Sequence, residues 1–263
     1  MITLTTDFGS ADHYVAAMKG VLTSLAPEAR VVDVTHDLPA FAILAGAHAI
    51  SQAAPFFPPG TIHVVVIDPG VGTSRRALLV DTGHQFFIGP DNGVFSFVLK
   101  ENPDAQVWEL TNRRLWLDEV SSTFHGRDIF APVAAALAAG KAKPKDTGWR
   151  CGDPVILEAL EPKQIKRGVW RGTVLSVDRF GNVITNFASN GFAAEREPKL
   201  VFEFGRRRVT AFHQTFGEAG PGELFSYPGS SGYLEIAINQ RSAASLLDAV
   251  SGMAITLRLP QNG

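Results

Sequence analysis

Cysteine is nearly missing from this chain, which has one, Cys151, in 263 residues. A lone thiol excludes an internal disulfide framework and any zinc site built from several cysteines, and it makes the cytoplasm the expected compartment. Neither sign of charge is in excess, with 24 basic residues against 26 acidic ones. That balance leaves no electrostatic footprint for nucleic acid or an anionic membrane surface, so the expected partner is a small molecule or a second copy of the chain. Long apolar runs are missing as well: none approaches the ~20 residues that span a bilayer. The opening MITLTTDFGS has none of the basic-then-apolar layout of a secretory signal.

What is present is enough apolar material, 45% of residues, to bury a substantial core in one large domain or two modest ones. The first half alternates strand-like and helix-like stretches. MITLTTDF, ARVVDVTHDL and TIHVVVID read as strands; DHYVAAMKGVLTSLAP and AILAGAHAISQAAPFF read as helices, as do NGVFSFVLK and SSTFHGRDIFAPVAAALAAG further on. Such alternation predicts an N-terminal α/β domain with a central, mostly parallel sheet, over residues 1–160. The stretch 141–168 is rich in proline, glycine and lysine and reads as a linker or domain edge. Beyond Trp170, short strands separated by turn residues (WRGTVLSVD, GNVITNF, KLVFEF, RRRVTAF, ELFSYP, YLEIAIN, AITLRL) predict a smaller C-terminal all-β domain, barrel-like or sandwich, over 161–263.

Polar groups fall where parallel strands should end: Asp7, His36 with Asp37, and Asp68. The carboxyl ends of strands line the ligand crevice of open α/β sheets, so these groups are candidates to share one mouth. Equally, an Asp at a strand end serves as a turn cap. The Asp68 loop, DPGVG, allows close backbone approach to a ligand, and Arg75 follows near enough to return over the turn. His125 and Gly126 sit at a helix entrance, where a ligand can approach. In the second half, DRFGN and GSSG read as plain turns between strands until something more specific is brought to bear.

Taken together, TTDFG, VVDVTH, VIDPGVG, GPDNG, STFHGRDIFAP, DRFGNVITN and GSSGYLEIAIN resemble, in order and spacing from Met1 to about Leu259, the S-adenosyl-L-methionine (SAM) hydroxide adenosyltransferases, relatives of fluorinase and chlorinase. The resemblance implies attack of water or hydroxide on the ribose C5′ of SAM, giving adenosine and L-methionine, with SAM as substrate and no further cofactor. It implies a catalytic trio of Asp68, Arg75 and His125. It also implies that Asp7 accepts the ribose hydroxyls, that Asp178 and Ser230 hold the methionine end, that Phe180 and Asn182 lie near the adenine, and that Glu235 and Ile238 sit in the same adenine-side strand. The family's site lies between the α/β domain of one subunit and the β domain of its neighbour in a trimer, so an inter-subunit site is expected. Halide-using relatives lack this trio, and a carboxylate at Asp68 would repel a halide, so hydrolysis is the expected outcome.

The chemistry suits those residue types. The sulfonium leaves as a neutral thioether and needs no general acid, whereas water, with a pKa of ~15.7, is a poor nucleophile at neutral pH. A carboxylate paired with arginine is a weak proton acceptor, which favours joint positioning of the water over Asp68 working alone. His36 is expected to be structural. Two alternatives remain at this level: a metal-dependent hydrolase using Asp7, His36, Asp37, Asp68 and His125, and a SAM or adenosine sensor that turns nothing over. A methyltransferase is disfavoured, since no GxGxxG-like loop follows the first strand.

Overall fold

Successive side chains of a strand leave opposite faces of the sheet, so an unbroken apolar run marks a strand covered on both sides. The segment β3 (Ile62–Val66) is such a strand. Val64 and Val66 enter one core with Met18, Leu22 and Phe130, while Val65 and the following Ile67 enter another with Ile50, Val94 and Val98. Helices α1 (Tyr14–Leu25) and α4 (Ala131–Ala138) cover the first face, and α2 (Ile43–Ala53) and α3 (Ser96–Glu101) the second.

The computed structural model describes residues 1–193 and 199–259. It divides into two units, Met1–Leu157 and Glu158–Gly263, each with its own core. The sheet of the first unit also contains β1 (Ile2–Thr6), β2 (Val31–Thr35), β4 (Ala77–Asp81), β5 (Phe86–Pro90), β6 (Gln106–Leu110) and β7 (Gly148–Arg150). Its order is β2-β1-β3-β5-β4-β6-β7. The stretch β2-β1-β3-β5 is parallel, as expected, and the flank through β4, β6 and β7 is antiparallel. The reversal arises because β4 and β5 are joined by the turn DTGHQ, too short for a crossover, so β4 runs back against β5. Within the stretch read as a linker, β7 pairs with β6.

The second unit is a nine-stranded sheet, almost wholly antiparallel, that curls until β12 (Arg207–Val209) near one end meets β14 (Leu224–Pro228) near the other, giving a nearly closed, barrel-like form. Its remaining strands are β8 (Lys163–Lys166), β9 (Val169–Val177), β10 (Val183–Ala188), β11 (Val201–Phe204), β13 (Ala211–Phe212), β15 (Tyr233–Ile238) and β16 (Ala254–Arg258). RRRVTAF, expected as one strand, is two: β12 pairs with β11 at one end and β13 with β14 at the other, the break falling after buried Val209. Among the described residues no helix is long and apolar enough to cross a membrane.

Candidate active site

Because β1, β2 and β3 run parallel, their carboxyl ends lie at one edge; Asp7 follows β1 directly, and Asp68 follows β3 after Ile67. Both line one cavity of about 240 Å³ with Phe41, Thr123, Phe124 and His125. Asp7 does more than cap its own turn, since its Oδ2 accepts the backbone N–H of Phe41 at 2.7 Å. Burial raises the Asp7 pKa above the ordinary carboxylate value, against the opposing pull of that N–H, and the charge of Asp68 adds to the rise. Phe41 holds a left-handed backbone, φ 65°, and lines the cavity with the residue as a whole 71% exposed. A bulky residue is strained in that region, so the Asp7 contact is one of the forces that hold it there.

The loop after β3 is fixed by its own geometry. Val71 N–H donates to Asp68 O, and Thr73 donates through both N–H and Oγ1 to Gly70 O. Gly72 has φ 77°, and a Cβ there would run into the backbone oxygen of Ser122, so the loop is packed tightly against the segment that leads to His125. That segment is anchored from below by Asp128, which is fully buried and accepts Ser121 N–H at 2.8 Å and Arg127 Nε at 2.5 Å. Between His125 and α4 the chain makes a π-helical turn, Gly126–Phe130, closed by Ala131 N–H donating to Gly126 O. The sequence pattern had promised one continuous helix here; the wider turn interrupts it directly beside the histidine.

Arg75 joins the two loops. Its guanidinium grips Asp68 with both Nε, at 2.9 Å from Oδ1, and Nη2, which also donates to Oδ2. The same Nη2 lies 2.7 Å from His125 Nδ1, and the guanidinium sits over the Phe130 ring, 5.4 Å from its centroid. The pair is nearly closed to solvent, with the side chains of Asp68 and Arg75 only 5% and 10% exposed. Burial lowers the His125 pKa, the Arg75 charge lowers it further, and Asp68 and Asp128 oppose the shift. An arginine has only donors, so Nδ1 must accept; the neutral ring then carries its hydrogen on Nε2.

His36 is engaged elsewhere, with Thr6 Oγ1 2.8 Å from Nδ1 and Asp33 Oδ1 3.0 Å from Nε2. Asp37 does not line the cavity. Among the described residues no three His, Cys, Asp or Glu side chains come together in a metal-holding group, so the five-ligand arrangement is not assembled.

The second unit has a cavity of its own, about 870 Å³, lined by Asp178, Phe180, Asn182, Ser230, Glu235 and Ile238, all six positions expected from the sequence. Asp178 is also a turn cap: Oδ1 accepts Phe180 and Asn182 N–H at 2.9 and 2.8 Å, and Oδ2 accepts Asn182 Nδ2 at 2.8 Å. Glu235 accepts the Tyr227 hydroxyl and, at 3.1 Å, Ser231 Oγ. Burial raises its pKa, and Asp178 adds to the rise. Tyr227 and Arg241 line the same cavity and were not singled out from the sequence, as Phe41 was not. Gly181 in DRFGN is left-handed, and a Cβ there would strike Ser242, which also faces the cavity.

Comparison with known proteins extends the likeness over nearly the whole chain. The profile of the SAM hydroxide adenosyltransferase N-terminal domain matches residues 2–148, and that of the C-terminal domain matches 172–256. The chain is 42% identical over 256 residues to the (R)-S-adenosyl-L-methionine hydrolase of Salinispora tropica, covering 95% of each. It is 40% identical to the enzyme of that name from Thermus thermophilus, covering 95% and 96%. A fluorinase of an Actinoplanes species is more distant, at 26% identity over 98% and 97%. The crystal structure of an uncharacterized conserved protein from Thermotoga maritima superposes with a TM-score of 0.88 at 38% identity, covering 98% of this chain and all of that one.

Proposed function

Because the chain belongs to the SAM hydroxide adenosyltransferase family, we propose that Asp68, Arg75 and His125 are the groups with which it handles its nucleophilic water. The enzyme hydrolyses SAM to adenosine and L-methionine. The observation that carries the assignment of roles is the bridge of Arg75 between Asp68 and His125. Since Nδ1 of His125 is taken by Arg75, the ring offers a donor at Nε2, and Asp68 is the one member of the trio with lone pairs left for a proton. Water gives its proton to Asp68 as its oxygen bonds to C5′; the C5′–S pair leaves with sulfur, which becomes a neutral thioether. Arg75 and the Nε2–H stabilise the negative charge that develops on the water, in a site dry enough to strengthen that attraction.

Asp7 is assigned to the ribose hydroxyls, which a carboxylate can accept from two at once. In the second unit, Asp178 and Ser230 are assigned to the methionine end and Phe180 and Asn182 to the adenine, with Ile238 on the adenine side. Glu235, held by Tyr227 and Ser231, is assigned to the same adenine side. In this reading the two cavities, one in each unit, are the two parts of a site completed between neighbouring copies in a homotrimer. The reaction uses no cofactor in this reading and takes place in the cytoplasm.

Purified protein incubated with SAM, with and without chloride and with and without a chelator, tests the reaction. Chromatography should show adenosine and methionine in equal amounts under every condition and no 5′-chloroadenosine. Loss of activity in the chelator would revive the metal-dependent hydrolase, and intact SAM would leave only a sensor.

The pKa shift of His125 gives a second expectation. Because its folded value is lowered, the ring stays neutral as pH falls past the ordinary histidine value of about 6.5, and protonation below that removes the Nδ1 acceptor from Arg75. The acid limb of kcat/KM should therefore lie below about 6.5 and change in His125→Gln. A limb at or above that value would contradict the role given to the ring.

A further inference from the structure

His125 lines two cavities. One is the narrow cavity with Asp7 and Asp68 described above, and the other, about 740 Å³, opens on Thr73, Glu109, Thr111, Asp118 and Val120. Thr73, Arg75 and Ala77 alternate along the chain as it enters β4 and all reach the wider space, whereas Asp68 faces only the narrow one; bonded to each other through Arg75, the trio forms a polar partition between the two.

We propose that the wider cavity supplies the nucleophilic water to the trio while the substrate occupies the narrow one. The inference rests on the hydrolytic reading of Asp68, Arg75 and His125. Each turnover consumes one water, and displacement at C5′ requires its oxygen to approach opposite the departing sulfur with the orbitals aligned. A bound adenosyl group closes the mouth of a 240 Å³ cavity, so replacement water must arrive through the wall and not past the substrate. The wider cavity lies behind that wall and is suited to water. It has room for many molecules at roughly 30 Å³ each, and its hydroxyls and carboxylates offer the two to four partners a held water needs. The water loses its proton to Asp68 as the C5′–O bond forms and the C5′–S bond breaks, and Asp68 releases it to solvent once the products leave the narrow cavity.

A reversible plug tests this. Val120 lines the wider cavity, is 40% exposed and lies outside the catalytic and binding machinery, so Val120→Cys places a thiol at the wall. The natural Cys151 is buried, and burial raises its thiol pKa, so it reacts slowly and background labelling is small. Methanethiosulfonates of increasing size, methyl to benzyl, are attached to the full-length protein, and dithiothreitol removes them from the same folded molecules. The benzyl adduct should lower kcat at least about tenfold, with KM for SAM within about twofold and full recovery on reduction, while the reagent leaves the parent unaffected. An unchanged kcat across the series overturns the proposal, and so does a rise in KM at constant kcat, which would give the cavity to the substrate. Asp68→Asn is assayed alongside. If it is inactive while the benzyl adduct runs at full rate, only the water route fails; if it is active, the catalytic reading itself fails.

Discussion

Asp68→Asn should lower the turnover of SAM by about a thousandfold, the middle of the range for loss of a positioned proton acceptor, and change KM far less. Asparagine keeps the shape and one acceptor oxygen for Arg75 but cannot take the proton of water. It also leaves the Arg75 charge, 10% exposed, without its carboxylate; removing one partner of a buried pair costs up to about 3–5 kcal/mol, so thermal unfolding must be followed beside activity. Asp153→Ala provides the contrast. Asp153 pairs with Arg76 as Asp68 does with Arg75, but its side chain is 85% exposed and Arg76 keeps Asp91, so turnover and stability should barely move. A folded Asp68→Asn protein that retains more than about a tenth of the parent kcat would show that the carboxylate is not the acceptor.

Mixing two inactive variants should restore activity. Asp68→Asn disables the cavity of the first unit and leaves the second intact, and Asp178→Ala does the reverse. If sites are completed between neighbours in a ring, a random one-to-one mixture gives each site a one-in-four chance of two intact halves, and so about a quarter of parental activity. Subunits mixed during refolding or coexpression and assayed with SAM would report it. No recovery, from subunits shown by mass to have exchanged, would mean that each chain builds its site alone and would overturn the assembly proposed above. Asp178 also caps its turn through three hydrogen bonds, so Ser230→Ala, at a position with no such duty in the DRFGN turn, is the second C-terminal partner for the mixture.

Much of this arrangement was legible because the topology places particular residue types at determined positions. Parallel strands β1 and β3 could deliver Asp7 and Asp68 only to a common edge, and a glycine-rich loop seven residues long could bring Arg75 back over Asp68. The positions in the second unit were legible through family likeness alone, for DRFGN and GSSG are turns by any local criterion. The missed features depend on contacts distant in sequence. Nothing near Phe41 shows that it will reach Asp7 across 34 residues and hold a left-handed backbone there. Tyr227 looks like an ordinary strand tyrosine until β14 pairs with β15 and sets it opposite Glu235. β7, three residues long, has too little pattern to announce itself and is a strand because the edge of β6 is there to pair with.

The turn at Gly126–Phe130 makes the reach of His125 a matter of chain length. An α-helix advances about 100° per residue, so the one residue by which a π turn exceeds an α turn rotates everything before it by about that angle relative to α4. The core face of α4 and the bearing of the histidine ring are consequently set by separate variables, packing for the one and residue count for the other. Loss of a single residue within the turn would swing the ring away from Arg75 while every apolar contact of α4 kept its partner, so at this point a deletion alters the chemistry more than most substitutions could.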